Sequence, residues 1–264
     1  MTPEEALRSG DLQAALASAQ AAVRAAPADA RLRAALAEVL MVRGEWERSL
    51  TQLAVMSELD ALTLPTAHLY RSAIQTEPLR AAVFAGRRSP LIFGEPPSWI
   101  AMLVQALALD GQGEYAGAAD LRAQTLEAAA AVAGRINGEP FEWLADADSR
   151  LGPVLEAVIN GAYYWVPFER IKQARVHAPE DLRDLVWLTV DFTWANDGQT
   201  SGLVPVRYPG TESAADDRLR LARLTEWAEE EGRGAIGLGQ RVWVTEANEY
   251  ALLDVRELEF GGRP

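Results

Sequence analysis

Up to about residue 135 the apolar positions recur at helical spacing. In "ARLRAALAEVLMVRG" the residues Leu32, Ala35, Leu36, Val39 and Leu40 share one stripe, and Gly44 follows as a stop signal. Leu12, Ala15, Leu16, Ala19, Ala22 and Val23 do the same in "DLQAALASAQAAV". The pattern predicts a series of amphipathic helices. Between 61 and 98 it is interrupted by Pro65, Pro78 and "SPLIFGEPPSW", which predicts a long helix near 66–86, a loop, and a further helix capped by Ser98 after Pro96-Pro97.

Beyond "AGRINGEP" (133–140) the period shifts toward two. In "LVWLTVDFTW", Leu188, Val190, Phe192 and Trp194 fall on one side of a strand, and Trp187, Thr189, Asp191 and Thr193 on the other. "RVWVTEANEYALLDVRELEF" reads as two strands around a polar turn. Asn160-Gly161, between two apolar runs, is a hairpin signal, since both residues tolerate the positive φ of a type I′ turn. That places Tyr163, Tyr164 and Trp165 on a strand with alternating faces. "DDRLRLARLTEWAEEEGRG" fits either a helix or one arm of a hairpin, with "AEEEG" (228–232) a solvated acidic corner. The fold class is α+β in two parts: a helical domain over 1–135, then a mostly antiparallel, β-rich and barrel-like domain over 136–264.

The helical half also repeats. "GDLQAAL" (10–16) aligns with "GEWERSL" (44–50) at a spacing of 34 residues, and Pro27 stands 17 residues after Gly10, where a tetratricopeptide repeat ends its helix. A third copy, "GEYAGAA" (113–119), begins 69 residues after Gly44. Glycine permits the tight turn between antiparallel helices, and small residues allow their close approach. Such arrays commonly hold a peptide or partner helix in a groove, though repeats can also serve only as scaffold. Trp46, Leu50, Trp99 and Tyr115 are the candidate apolar anchors.

Charge and composition narrow the function. The chain has 264 residues and a net charge of −13, unevenly placed: −3 over 1–135 and −10 over 136–264. An acidic surface disfavours nucleic acid and anionic lipid as partners. No cysteine is present, which removes disulfides, thiolate metal sites and a cysteine nucleophile. The start, "MTPEEALRSGDLQAAL", lacks the charge and apolar regions of a signal peptide, and no run of about 18 apolar residues occurs, so a cytoplasmic protein is expected.

Candidate chemistry is sparse. Asp146 and Asp148 form a D-x-D pair that could serve a hard cation or acid–base chemistry, in which case the chain would be a metal-assisted hydrolase using the 146–150 block. With no histidine or third acid nearby, a structural ion-pair network of Asp146, Asp148 and Arg150 is the stronger expectation. His68 and His177 are the only histidines, and neither has a metal-ligand partner at i+3 or i+4 or a G-x-S-x-G elbow. "GRGAIGLGQ" and "GQGEYAG" fail the phosphate-loop patterns and read as turns. No catalytic residue, metal or cofactor is assigned. A further candidate interface lies on the 140–171 block, with Trp165, Glu169 and Arg170 on one accessible strand face; exposure of Trp165 would favour it and burial would remove it.

Seven blocks carry a family resemblance: "GEPPSW" (94–99), "PFEWLADADSRLGPVLEAVINGAYYWVPFERI" (140–171), "APEDLRDLVW" (178–187), "RYPGTE" (207–212), "RLARLTEW" (220–227), "GLGQR" (237–241) and "LLDVREL" (252–258). With them the sequence resembles the ImpE family, also called TagJ, of type VI secretion accessory proteins. The resemblance implies a helical repeat-like part followed by a mixed or barrel-like part, and an adaptor with no established catalytic residues. It further implies binding to the N-terminal segment of the sheath small subunit, and an influence on sheath handling by the ClpV ATPase.

Overall fold

The structure is a computed structural model that describes residues 5–6, 9–230 and 234–261. Among the described residues the first half holds helices α1 (Leu12–Ala25), α2 (Ala30–Val42), α3 (Trp46–Leu59), α4 (Leu64–Phe84), α5 (Ile100–Gln112) and α6 (Tyr115–Ala128). Asp11 caps α1 through the Ala14 amide, and Asp29 caps α2 through those of Arg31 and Leu32. These caps satisfy amides that have no partner within the helix.

The three repeat copies share one turn. Gly10, Gly44 and Gly113 all take positive φ, at 81°, 70° and 83°. The residue after each glycine donates its amide five residues back: Asp11 to Ala6, Glu45 to Leu40 and Glu114 to Leu109, each at 2.9 Å. This is the six-to-one bond of a Schellman helix end, which glycine permits because it carries no Cβ. The repeat is therefore a repeated helix–glycine–acid–helix corner.

Helix α4 spans 21 residues with Pro65 at its start and Pro78 inside it, close to the range expected from the pattern. The following segment differs from expectation. Leu91–Ile92 form a short strand, β1, paired in parallel with Tyr164 and Trp165. Helix α5 begins at Ile100 with Trp99 in the cap position and no side-chain cap, so Ser98 is not the cap.

The remaining strands are β2 (Gly134–Ile136), β3 (Glu139–Phe141), β4 (Ala145–Asp146), β5 (Val154–Ile159), β6 (Ala162–Pro167), β7 (Ile171–Val176), β8 (Trp187–Trp194), β9 (Gln199–Pro205), β10 (Thr225–Glu230), β11 (Gly234–Gly239), β12 (Val242–Val244), β13 (Glu249–Ala251) and β14 (Glu257–Phe260). Eight of them join β1 in one nine-stranded sheet in the order β1-β6-β5-β9-β8-β7-β14-β2-β3, antiparallel except at β1. The sheet ends at β1 and β3 and does not close, which corrects the barrel-like expectation. The β5–β6 hairpin turns at Asn160 (φ 50°) and Gly161 (φ 77°), as the dipeptide predicted. The 216–231 stretch divides: a single helical turn, α7 (Asp217–Arg220), precedes β10, which pairs with β11. Residue 231 lies outside the described residues.

Strand β5 is buried at all six positions because it is covered on both faces. Leu155, Ala157 and Ile159 join a core with Leu188, Val190, Phe192, Trp243 and Leu258. From the opposite face Val158, with Trp187 and Leu203, packs against Ala37, Met41, Met56, Tyr70 and Ile74 of the helices. Val154, Tyr163 and Trp165 meet Val83, Trp99, Ile100 and Leu103. In β8 the expected alternation holds, with Leu188, Val190, Phe192 and Trp194 buried and Thr189, Asp191 and Thr193 not; Trp187, on the other side, is the exception, buried as a contact to the helices. Helices and sheet share their apolar clusters.

Candidate partner groove and buried ionic junction

Two features stand out: an apolar groove between helices and a closed ionic cluster where helix meets sheet. The groove, about 570 Å³, lies between α3 and α4 and is lined by Trp46, Leu50, Ile74 and Pro78, with Glu45, Glu47 and Arg48 on its rim. The Gly44 corner places Trp46 and Leu50 one helical turn apart on α3. Trp46 is only partly buried, and its ring packs 5.6 Å from that of Trp187, which is fully buried. A rigid aromatic stacked on a fixed support is well suited to anchor an incoming side chain.

The ionic junction starts from Glu156, which interrupts the apolar run "VLEAVI" of β5 and is fully buried. Arg80 of α4 grips it with two bonds, Nε to Oε1 at 2.7 Å and Nη2 to Oε2 at 3.1 Å. Arg241 donates to the same carboxylate, as does Tyr163 Oη at 2.5 Å. Trp165 Nε1 donates to that phenol at 2.8 Å. Burial would raise the Glu156 pKa, but Arg80 and Arg241 outweigh it and hold the group at about 2.

Asp146 receives Arg241 Nη1 on Oδ2 at 3.2 Å, and the Asp148 amide and Tyr208 Oη on Oδ1. Burial dominates here, with Asp148 adding to it against Arg241, and lifts the Asp146 pKa to about 7. Asp148 accepts from the Arg150 amide and Nε on Oδ1, and from Arg150 Nη2 and the Gly237 amide on Oδ2. The Arg150 guanidinium also lies 5.0 Å from the Phe84 ring centre, a cation–π contact. Every carboxylate oxygen of the D-x-D pair is thus already committed to protein donors. That chemistry builds a joint and leaves no open face for a cation or for a substrate proton, which removes the geometric basis of a hydrolase at 146–150. Among the described residues no group of three or more His, Asp or Glu is placed to hold a metal ion.

The other residues singled out in the sequence are dispersed. Trp99 is buried in the α5 cluster with Trp165, so it is no groove anchor. Tyr115 opens α6, away from the groove lining. Trp165 is fully buried, which removes the reading that it shares an accessible strand face with Glu169 and Arg170. Those two residues lie in a 3-10 turn after β6, where Arg170 Nη2 donates to the Glu95 carbonyl at 2.6 Å and ties down the "GEPPSW" loop.

His68 is exposed on α4. His177 Nε2 and Ser201 Oγ both bond to Asp191, at 2.8 and 2.5 Å, on separate oxygens. The serine therefore addresses the carboxylate and not the imidazole, unlike a nucleophile–base–acid relay. "GRGAIGLGQ" is strand β11 from Gly234, not a turn, while "GQGEYAG" is the α5–α6 corner. The acidic corner 228–232 runs partly outside the described residues.

Sequence reading missed Arg80, Glu156, Tyr208 and Arg241. Glu156 alone carried a local signal, as a charge inside a fully apolar strand.

Comparison with known proteins completes the assignment. The tetratricopeptide repeat pattern matches residues 6–74, and the ImpE protein pattern matches residues 138–259. The chain is 50% identical over 260 residues to the type VI secretion system accessory component TagJ of Pseudomonas aeruginosa, covering 98% of this chain and 91% of that protein. It also resembles the crystal structure of protein VPA1032 from Vibrio parahaemolyticus, with a TM-score of 0.88 at 26% identity, covering 99% of this chain and 98% of the other. With helical corners, sheet and length all matched, the chain belongs to the ImpE/TagJ family of type VI secretion accessory components.

Proposed function

We propose that this protein is a non-enzymatic adaptor of a type VI secretion apparatus, acting in the cytoplasm. In this reading the groove beside Trp46 and Leu50 takes a short N-terminal segment of the sheath small subunit, and the sheet holds the helical array in fixed geometry. Occupancy then influences how the ClpV ATPase handles the sheath. The supporting observation is the groove itself: an apolar slot with a buttressed tryptophan. Few buried anchors suffice for such binding. Among the described residues no helix is long and apolar enough to cross a membrane, so nothing in the described helices requires a bilayer.

The test is calorimetry with the purified sheath small subunit and with a peptide of its N-terminal segment. Saturable binding at micromolar concentration supports the reading. Absence of heat with a demonstrably folded protein contradicts it.

A further inference from the structure

The nine-stranded sheet guards both of its edges. Strand β1 is two residues long and follows Pro90, and β3 carries Pro140, which has no N–H to offer a further strand. Strand β10 has no such guard. It is six residues long, contains no proline, and pairs with β11 alone.

Which backbone groups of β10 face outward follows from β11. The Ala235 carbonyl accepts from the Ser149 amide, and the Gly237 amide donates to Asp148 Oδ2 at 3.0 Å. Gly239 donates to Thr211 Oγ1 and accepts from the Tyr208 amide, both at 2.9 Å. Residues 235, 237 and 239 therefore turn their backbone groups away from β10. In an antiparallel pair, the residues opposite such positions turn outward as well. Those residues are Glu229, Trp227 and Thr225. No other part of the described chain takes up the Thr225 or Trp227 amide. Outward N–H and C=O groups repeating every second residue, about 6.8 Å apart, are a template for one more strand.

The edge is held in place and marked by charge. Asp148, Thr211 and Tyr208 fix β11 to the body, so little ordering is left for binding to supply. The Trp227 ring packs 5.5 Å from the buried Tyr208 ring and is still 39% exposed. Glu226 is exposed, and the strand sequence "TEWAEE" holds three acids and no base. A second copy of this chain would bring like charges together across such an edge, whereas a basic strand would bring opposite ones.

We propose that the outer edge of β10 takes an extended basic segment of a partner protein as an added strand. An apolar side chain of that segment lies beside Trp227, and lysine or arginine precedes and follows it. Side chains alternate between the faces of a strand, so these two basic residues fall on the face that carries Glu226. The edge shares no residue with the lining of the α3–α4 groove, and the inference is independent of what the groove binds.

The experiment uses the full chain and three eight-residue peptides. The first alternates lysine with valine around a central phenylalanine, the second carries glutamate in place of lysine, and the third is the lysine peptide N-methylated at its valine and phenylalanine amides. Amide exchange in 15N-labelled protein reports the edge directly. The lysine peptide is expected to slow exchange at Thr225, Trp227 and Glu229 at least tenfold and to leave Glu226 and Ala228, which face β11, unchanged. It should bind at least tenfold more tightly than either of the other peptides. Glu226→Lys should weaken the lysine peptide at least tenfold while the protein's own amide spectrum stays that of the folded chain.

Unaltered exchange at the three outward amides, or equal affinity for the three peptides, overturns the inference. Protection of the same amides without peptide, in a protein that sediments as a dimer, also overturns it and gives the edge to a second copy.

Discussion

Arg80 of α4 and Glu156 of β5, 76 residues apart in sequence, meet as a two-point ion pair with Nε–Oε1 at 2.7 Å and Nη2–Oε2 at 3.1 Å. Both are buried, and the Arg80 Nη2 also donates to the Arg207 carbonyl at 2.8 Å. Arg207 in turn donates to Val42 at the end of α2 and to Arg220. The long helix that forms one wall of the groove is thereby joined through arginines to the centre of the sheet and to the array.

Removing the guanidinium would strand part of a buried carboxylate. Arg80→Met is expected to lower stability by about 3–5 kcal/mol, the range for breaking a buried pair from one side. Arg80→Lys keeps the charge but loses the fork, and should fall between the variant and wild type. Denaturant unfolding measures both.

Two glycines in similar backbone states should respond differently to alanine. Gly86 has φ 69°, and a Cβ there would lie 2.2 Å from the Leu107 carbonyl, where the ends of α4 and α5 cross. Gly113 has φ 83° with nothing within 4 Å. Gly113→Ala should cost about 1–2 kcal/mol from the left-handed backbone alone, whereas Gly86→Ala adds the collision and should lower the melting temperature further. Thermal melts of the pair isolate the steric part.

Stability should decline as pH rises through neutrality. Burial lifts Glu38, with Asp181 and Asp184 opposing its Arg183 partner, from 4.5 to about 7. A raised pKa means the folded chain keeps a proton that the unfolded chain has released. Its stabilisation is complete below pH 4.5 and lost as pH rises through 7. Glu38→Gln should flatten that decline by on the order of 2 kcal/mol between pH 4.5 and 8. Asp146, raised to about 7, retains a slope of the same sign. Glu156 has the opposite sign: its contribution is present above its ordinary pKa of 4.5 and lost as pH falls toward 2.

Divalent cations should not stabilise the fold. Both oxygens of Asp146 and of Asp148 are occupied by protein donors, and linkage gives a shift only where an ion binds the native state. Melting temperatures with and without magnesium, manganese or zinc should agree. A rise abolished by Asp148→Asn would reopen the hydrolase reading.

Local periodicity carried most of the fold. The Asn160-Gly161 hairpin, the strand at 187–194 and the glycine corners at 10, 44 and 113 are set by neighbours in sequence, and all were legible. The "SPLIF" segment was not, because a two-residue strand owes its existence to β6, far away in the chain. The open sheet was likewise invisible, since closure depends on which strands end up at the edges. Of the groove, Trp46 and Leu50 were readable as apolar residues on a repeat helix, but Ile74 and Pro78 come from the next helix and its packing angle. Trp99 and Trp165 looked equally available; only tertiary packing buries them. The junction was hardest, because arginines that are solvated in most contexts are recruited here by a glutamate many tens of residues away.

The account stands on a grip made by the α3–α4 groove. The most direct measurement is a calorimetric titration of the sheath small subunit's N-terminal segment into wild type and into Leu50→Asp, which places a charge in the apolar slot. The account predicts micromolar binding by wild type and at least a hundredfold loss in the variant, with unchanged circular dichroism. Equal affinity for both proteins would contradict it.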